Sequence, residues 1–109
     1  MAEQCFAYAR RKWNAAYPDN PLTTEAHSSP QLWDIAEEEG YSTSDDAVAK
    51  SIACWDYGTY GHVAWVIKNN GDGTMKISES NWPVGTGPTT RTIDIGDRGK
   101  YTLLGFVYP

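Results

Sequence analysis

The stretch Gly61–Trp82, GHVAWVIKNNGDGTMKISESNW, decides how the rest of the chain is read. Two β-rich runs, HVAWVIK and TMKISES, flank NNGDG, whose Asn and Gly residues tolerate the positive φ of a tight reversal. The pattern predicts a β-hairpin. Side chains alternate faces along a strand, so Glu79 and Asn81 are expected to point the same way. Folding about Asn70–Gly71 sets His62 opposite Glu79, with Ala64 and Val66 beside Ile77 and Met75. The result is one apolar face with a histidine and an acid at its open end. A histidine held by a carboxylate is part of a catalytic arrangement that still lacks a nucleophile.

Upstream, EQCFAYARRKWNAA over residues 3–16 reads as a helix. Phe6, Ala9, Trp13 and Ala16 recur at helical spacing toward the core, Arg10, Arg11 and Lys12 turn to water, and Pro18 ends the element. Cys5 falls in the first turn, where unpaired N–H groups and the positive end of the helix dipole favour a thiolate. A buried structural cysteine is the plain alternative.

Between helix and hairpin, DNPLTTEAHSS is a polar loop, and its His27 reads as a solvated or locally bonded side chain. A second helix follows, with Ser29 as cap, Pro30 at its first position and Gly40 as its stop. Leu32, Ile35 and Ala36 form its inner face, Trp33 its flank, and Glu37–Glu39 a solvated end. Asp45 and Asp46 belong to a turn. SIACW then starts the strands, with Cys54 inside, and DYGTYG reads as a loop walling a cleft ahead of His62. Past the hairpin, PVGTGP is a turn, TTRTIDI an alternating strand and YTLLGFVY a closing strand. Two helices followed by four or five strands indicate an α+β fold with an antiparallel sheet.

Composition narrows the function. With 109 residues the chain suits one domain, 1–109, and 40% hydrophobic content with five Trp and seven Tyr allows a small core. A net charge of −5 argues against nucleic acid as a partner. No run is apolar enough to span a membrane and no signal peptide is recognisable, although Met1 is compatible with a start that replaces a removed leader. Cys5 and Cys54 are too few for a disulfide scaffold, and the sequence leaves a bridge between them open. With His27 and His62 they lack the close pair spacing of a zinc site, so no metal is expected.

Cys5, His62 and Glu79 follow in the order nucleophile, base, orienting group. Together QCFAYAR at Gln4–Arg10, GHVAWV at Gly61–Val66, NGDGTMKISESNW at Asn70–Trp82 and GFVY at Gly105–Tyr108 resemble the CHAP family. These are the cysteine, histidine-dependent amidohydrolases/peptidases of the papain-like superfamily. The resemblance runs over almost the whole chain and is weakest over residues 17–50. It implies a papain-like CHAP fold, N-terminal helices on an antiparallel sheet of about five strands. It further implies Cys5 as nucleophile, His62 as base and then acid, Glu79 as the group orienting His62, and Asn81 as a residue sharing or assisting that role. Gln4 and the N–H of Cys5 are the implied oxyanion donors, with helix capping the alternative for Gln4.

The implied activity is hydrolysis of peptidoglycan, as amidase or endopeptidase, by a monomer that needs no cofactor. The implied setting is secreted or wall-associated, or host cytoplasm for a phage lysin. Tyr57, Tyr60 and Trp82 are candidate substrate contacts, while Trp65 reads as core. Two departures from the family stand out. Glu3 replaces the usual Gly and would raise the thiol pKa. Only four residues precede Cys5, so the acidic calcium site of some members is not expected and the chain reads as a minimal module. An amidase on a non-wall substrate, an antibacterial toxin and a non-catalytic wall-binding module are the rival readings.

Overall fold

A computed structural model describes residues 4–22, 29–57 and 60–109, with no side-chain description for 29–31 and 60. The readings of Glu3 and His27 lie outside these described residues, as do those that need the side chains of Ser29, Pro30 and Tyr60. Helices α1 (Cys5–Ala16) and α2 (Ser29–Glu39) precede strands β1 (Ser42–Ser44), β2 (Ser51–Tyr57), β3 (Tyr60–Asn69), β4 (Thr74–Glu79), β5 (Thr89–Asp94) and β6 (Thr102–Tyr108). All pairings are antiparallel, in the order β1-β6-β2-β3-β4-β5.

Alternation along the central strands serves two cores. Ile52, Cys54, Val63, Trp65 and Val107 meet Ala9 and Trp13 of α1 and Leu32 and Ala36 of α2. On the opposite face Ala53, Trp55, Ala64, Val66, Met75, Ile77 and Phe106 form a second cluster, closed at its margin by Ile93, Ile95, Tyr101 and Leu103. Both faces of the sheet are thus covered. This explains why β3 is buried without interruption from His62 to Val66.

Trp13 anchors the helix layer. It is fully buried, donates Nε1–H to the Asn20 carbonyl at 2.8 Å, and meets Tyr17 and Tyr41 edge-on. Truncation of such a ring to Ala costs about 3–5 kcal/mol. Ala9 and Trp13 are buried as expected, but Tyr8 is the third buried position of α1, and its hydroxyl pairs with that of Ser78 beneath the helix. Gly40, at φ +81°, ends α2, and the Tyr41 N–H closes the last turn on the Ala36 carbonyl. Trp65 is core.

The hairpin exists, but its register is not the one expected. Trp65 lies opposite Ser78 and Val66 opposite Ile77, with an irregularity between Val66 and Lys68. As far as Val66 the pairing is therefore offset by two residues from one that sets His62 opposite Glu79, and the irregularity adds one more beyond it. The reversal is longer than a fold about Asn70–Gly71, because Asn70 N–H closes on Thr74 O and both Gly71 and Gly73 take positive φ. An even offset keeps every side chain on its face, so the apolar stripe survives.

Further differences are confined to particular segments. Asn81 lies beyond the end of β4, at φ +65°, so it does not continue the Glu79 alternation. Of DYGTYG, the described residues Asp56, Tyr57, Tyr60 and Gly61 are strand, with Tyr57 paired to Tyr60 and Asp56 to Gly61. The sheet gains a sixth strand, β1, whose three residues STS carry no apolar alternation to announce it. The closing strand β6 does not extend the sheet beyond β5 but inserts between β1 and β2. Gly105 makes that insertion possible. At φ +142° its missing side chain leaves room for the Ser44 carbonyl and the Trp33 ring, each 2.7 Å from where a Cβ would stand.

Candidate active site

Helix α1 begins at Cys5, and Gln4 caps it in extended conformation without a side-chain cap bond. The capping alternative for Gln4 therefore has no bond behind it. Gln4 is exposed, beside the cavity-lining Cys5. The first intrahelical bond runs from Tyr8 N–H to Gln4 O, so the N–H groups ahead of it are free for other work. Two N–H groups, those of Phe6 and of Val63 on β3, reach the Cys5 sulfur. Cys5 is half-buried, Cys54 is fully buried, and both are free thiols.

Cys5 and His62 line one cavity of about 410 Å³, together with Asn81, Trp82, Val84 and Tyr101. His62 Nε2–H donates to Glu79 Oε1 at 2.7 Å, leaving Nδ1 as the nitrogen for the hydrogen bond with Cys5. Trp82 leans on the imidazole, with ring centroids 4.7 Å apart, and Trp55 flanks it at 6.0 Å.

The shifts of the three groups agree in direction. Burial pushes the Cys5 thiol up, yet the hydrogen bond and charge of His62 and the Val63 and Phe6 N–H groups outweigh it and hold the thiol below its ordinary value. Burial disfavours imidazolium, but the bonds to Cys5 and Glu79 raise His62 above its ordinary value. Burial also pushes the Glu79 carboxyl up, and the His62 and Arg98 bonds more than offset it, leaving the group ionised. Cys54 goes the other way, its thiol driven far up by burial and by the neighbouring Cys5. One thiol is prepared for ionisation and the other is not.

Glu79 has two partners that sequence reasoning missed. Arg98 donates from both ends of its fork, NH1 to Oε1 at 2.6 Å and NH2 to Oε2 at 3.1 Å. Arg91 Nε stands 2.9 Å from Oε2, within ion-pair range but not aligned as a hydrogen bond, while its NH2 donates to Trp82 O at 3.2 Å. Arg91 had a signal, a cation on the inward side of the alternating TTRTIDI beside Ile93. Arg98, in the turn between β5 and β6, had none.

The remaining candidates divide. Asn81 lines the cavity, but its Oδ1 accepts the Gly85 N–H at 2.7 Å and its N–H donates to Thr86 O, so it shapes its own loop. Trp82 lines the cavity as expected. Tyr57 is not in the lining, and its ring stacks at 4.9 Å behind Tyr101, which is. Tyr101, unforeseen from sequence, also meets Trp82 edge-on at 5.0 Å. Among the described residues no helix is long and apolar enough to cross a membrane.

The family model described as CHAP domain matches residues 1–81. An N-acetylmuramoyl-L-alanine amidase, sle1, of Staphylococcus epidermidis is 44% identical over 74 residues, 66% of this chain and 23% of that protein. The staphylococcal secretory antigen SsaA of Staphylococcus aureus is 34% identical over 70 residues, 63% of this chain and 28% of that protein. The chain thus spans about a quarter of the length of these relatives. A crystal structure of an N-acetylmuramoyl-L-alanine amidase from Staphylococcus aureus superposes with a TM-score of 0.73 at 26% identity, over 84% of this chain and 27% of that one. The structure of Ly7917 shares the fold, with a TM-score of 0.66 at 21% identity over 97% of this chain and 53% of that one.

Proposed function

The chain belongs to the CHAP domain family, and from that membership we propose that residues 1–109 are a single catalytic domain hydrolysing an amide bond of peptidoglycan. The observation that carries the reading is Cys5 and His62 in one cavity, with the far nitrogen of His62 held by a buried carboxylate. An amidase name on a relative 44% identical supports cleavage between the glycan strand and its peptide over cleavage within the peptide. The secretory name of a second relative supports action outside the cell or at the wall.

Each group has a task. Nδ1 of His62 takes the Cys5 proton, and the thiolate attacks the amide carbonyl carbon. The developing oxyanion is received by the N–H of Cys5, with the exposed Gln4 side chain as second donor. As the C–N bond breaks, imidazolium gives its proton to the leaving amine and a thioester remains on Cys5. Water, losing a proton to His62, attacks the thioester, releases the acid and restores the thiol. Glu79 fixes the tautomer throughout and supports the imidazolium. Trp82 and Tyr101 offer aromatic faces for sugar or peptide, and Val84, 88% exposed, stands as an apolar lip on the rim.

The test is turbidity of purified walls, with released amino groups and reducing sugar measured separately. Amino groups without reducing ends are expected from wild type, and nothing from Cys5→Ala. Reducing ends, or an active Cys5→Ala protein, would overturn the reading.

A further inference from the structure

We propose that Arg98 is a positioning residue for this hydrolysis, its fork gripping both oxygens of Glu79 so that Oε1 stays turned to His62. The proposal rests on the reading of Cys5 and His62 as nucleophile and base. A carboxylate can rotate about its last torsion, and a single bond to His62 would not stop it. Two parallel N–H donors do, because a guanidinium and a carboxylate match in plane and spacing. Both donors are present, at 2.6 and 3.1 Å.

The fork is itself held. Its guanidinium carbon lies 4.1 Å from the Trp82 ring centroid and 5.2 Å from that of Trp55, with the side chain only 12% exposed. Its backbone is pinned by paired bonds with Tyr101, N–H to O in both directions. Asp97 Oδ1 braces the same turn by accepting the Leu103 N–H. Arg91 cannot substitute, since its side chain is one-third exposed, its Nε is misaligned and its NH2 is committed to Trp82 O.

Charge follows from the same contacts. The ionisable groups facing Glu79 are His62 from β3, Arg91 from β5 and Arg98 from the β5–β6 turn, with Cys5 of α1 beyond His62. Of these, Arg98 supplies the two aligned donors to a carboxylate whose side chain is fully buried. Without it, burial favours a protonated Glu79, which no longer supports the imidazolium, and the Cys5 thiolate loses its counter-charge. A cation that merely tempered His62 would act oppositely. Its removal would strengthen the imidazolium and ease thiol ionisation.

Alkylation of Cys5 by iodoacetamide against pH, mapped by peptide mass spectrometry, separates the two and needs no substrate. Arg98→Gln should move the midpoint up by about one unit, and Arg98→Lys, which keeps charge without the fork, should restore most of it. Both should release amino groups from walls at least tenfold more slowly than wild type. A midpoint in Arg98→Gln that stays or falls overturns the proposal. Should that variant fail to fold, Arg98→Lys at wild-type turnover would overturn it instead. If the midpoint shifts while wild type itself leaves walls intact, the substrate reading falls and the role of Arg98 stands.

Discussion

Nε2 of His62 meets Oε1 of Glu79 at 2.7 Å although the two residues are not cross-strand partners. Trp65 opposite Ser78 sets Glu79 level with Ala64, so the imidazole reaches its acid along a diagonal of the β3–β4 pair. The diagonal leaves the far side of the carboxylate open toward β5 and the turn beyond it, and two arginines come from there. It also commits Nε2 to Glu79 and turns Nδ1 to Cys5, the tautomer that a general base would need. In the proposed reaction this one contact would set both the direction of proton transfer and the charge state behind it.

Reactivity should separate the two thiols. Cys5, lowered by His62, is expected to alkylate at lower pH than an ordinary thiol, whereas Cys54, fully buried and raised, should stay unmodified in the native protein. Mass spectrometry of each peptide across pH 5–9 checks this. Equal labelling of both thiols would remove Cys5 from its assigned role.

Most of this site was legible because its signals are local. A cysteine just inside an amphipathic helix and a His and Glu on the strands of one hairpin need only period and turn chemistry to be placed. The two-residue register offset went unseen because an even slip leaves every face unchanged. Asn81 was misplaced because nothing in SESNW marks where the strand gives way to a left-handed residue. Arg98 and Tyr101 reach the site through the tertiary course of the β5–β6 turn, and the insertion of β6 beside β2 is long-range pairing. No local pattern encodes either.

Acid stability should report Glu79. Its folded pKa lies below the ordinary carboxylate value, so its contribution is present above the unfolded value and is lost as pH falls through the folded one. Wild type should therefore exceed Glu79→Gln in thermal midpoint at pH 7, and the gap should close only as pH falls below the ordinary carboxylate range and through the lowered folded pKa. A gap independent of pH would mean that shape, and not charge, holds this side chain.

Gly105→Ala should destabilise the sheet without touching the chemistry. The added methyl meets the Ser44 carbonyl and the Trp33 ring at 2.7 Å, and φ +142° is strained for any L side chain. A loss of about 1–3 kcal/mol from backbone strain alone is expected in urea unfolding, with the steric clash adding to it. Residual activity per folded molecule should stay near wild type. An unaltered unfolding midpoint would contradict the tight packing of β6 against β1 and α2.

The last prediction separates Glu79 from Asn81. Glu79→Gln keeps the shape of the side chain but removes its charge and leaves Arg98 and Arg91 facing a neutral amide. The imidazolium then loses its supporting anion while two cations remain nearby, so the His62 pKa should fall and turnover drop about a hundredfold or more. Asn81 acts differently. Its Oδ1 holds the Gly85 N–H and its backbone sits at φ +65°, which Asn tolerates and Ala does not. Asn81→Ala should therefore cost about 1–3 kcal/mol of stability, from the strained backbone and the lost bond. Its effect on turnover should be the smaller one, through the Trp82 wall, with the pH–rate profile unmoved. Asn81→Gly should recover the backbone part of the stability loss. The measurements are pH–rate profiles and unfolding midpoints of all three variants beside wild type. If Asn81→Ala moves the profile and Glu79→Gln leaves it in place, then Asn81 is the group that orients His62, and the buried Glu79 cluster serves the fold alone.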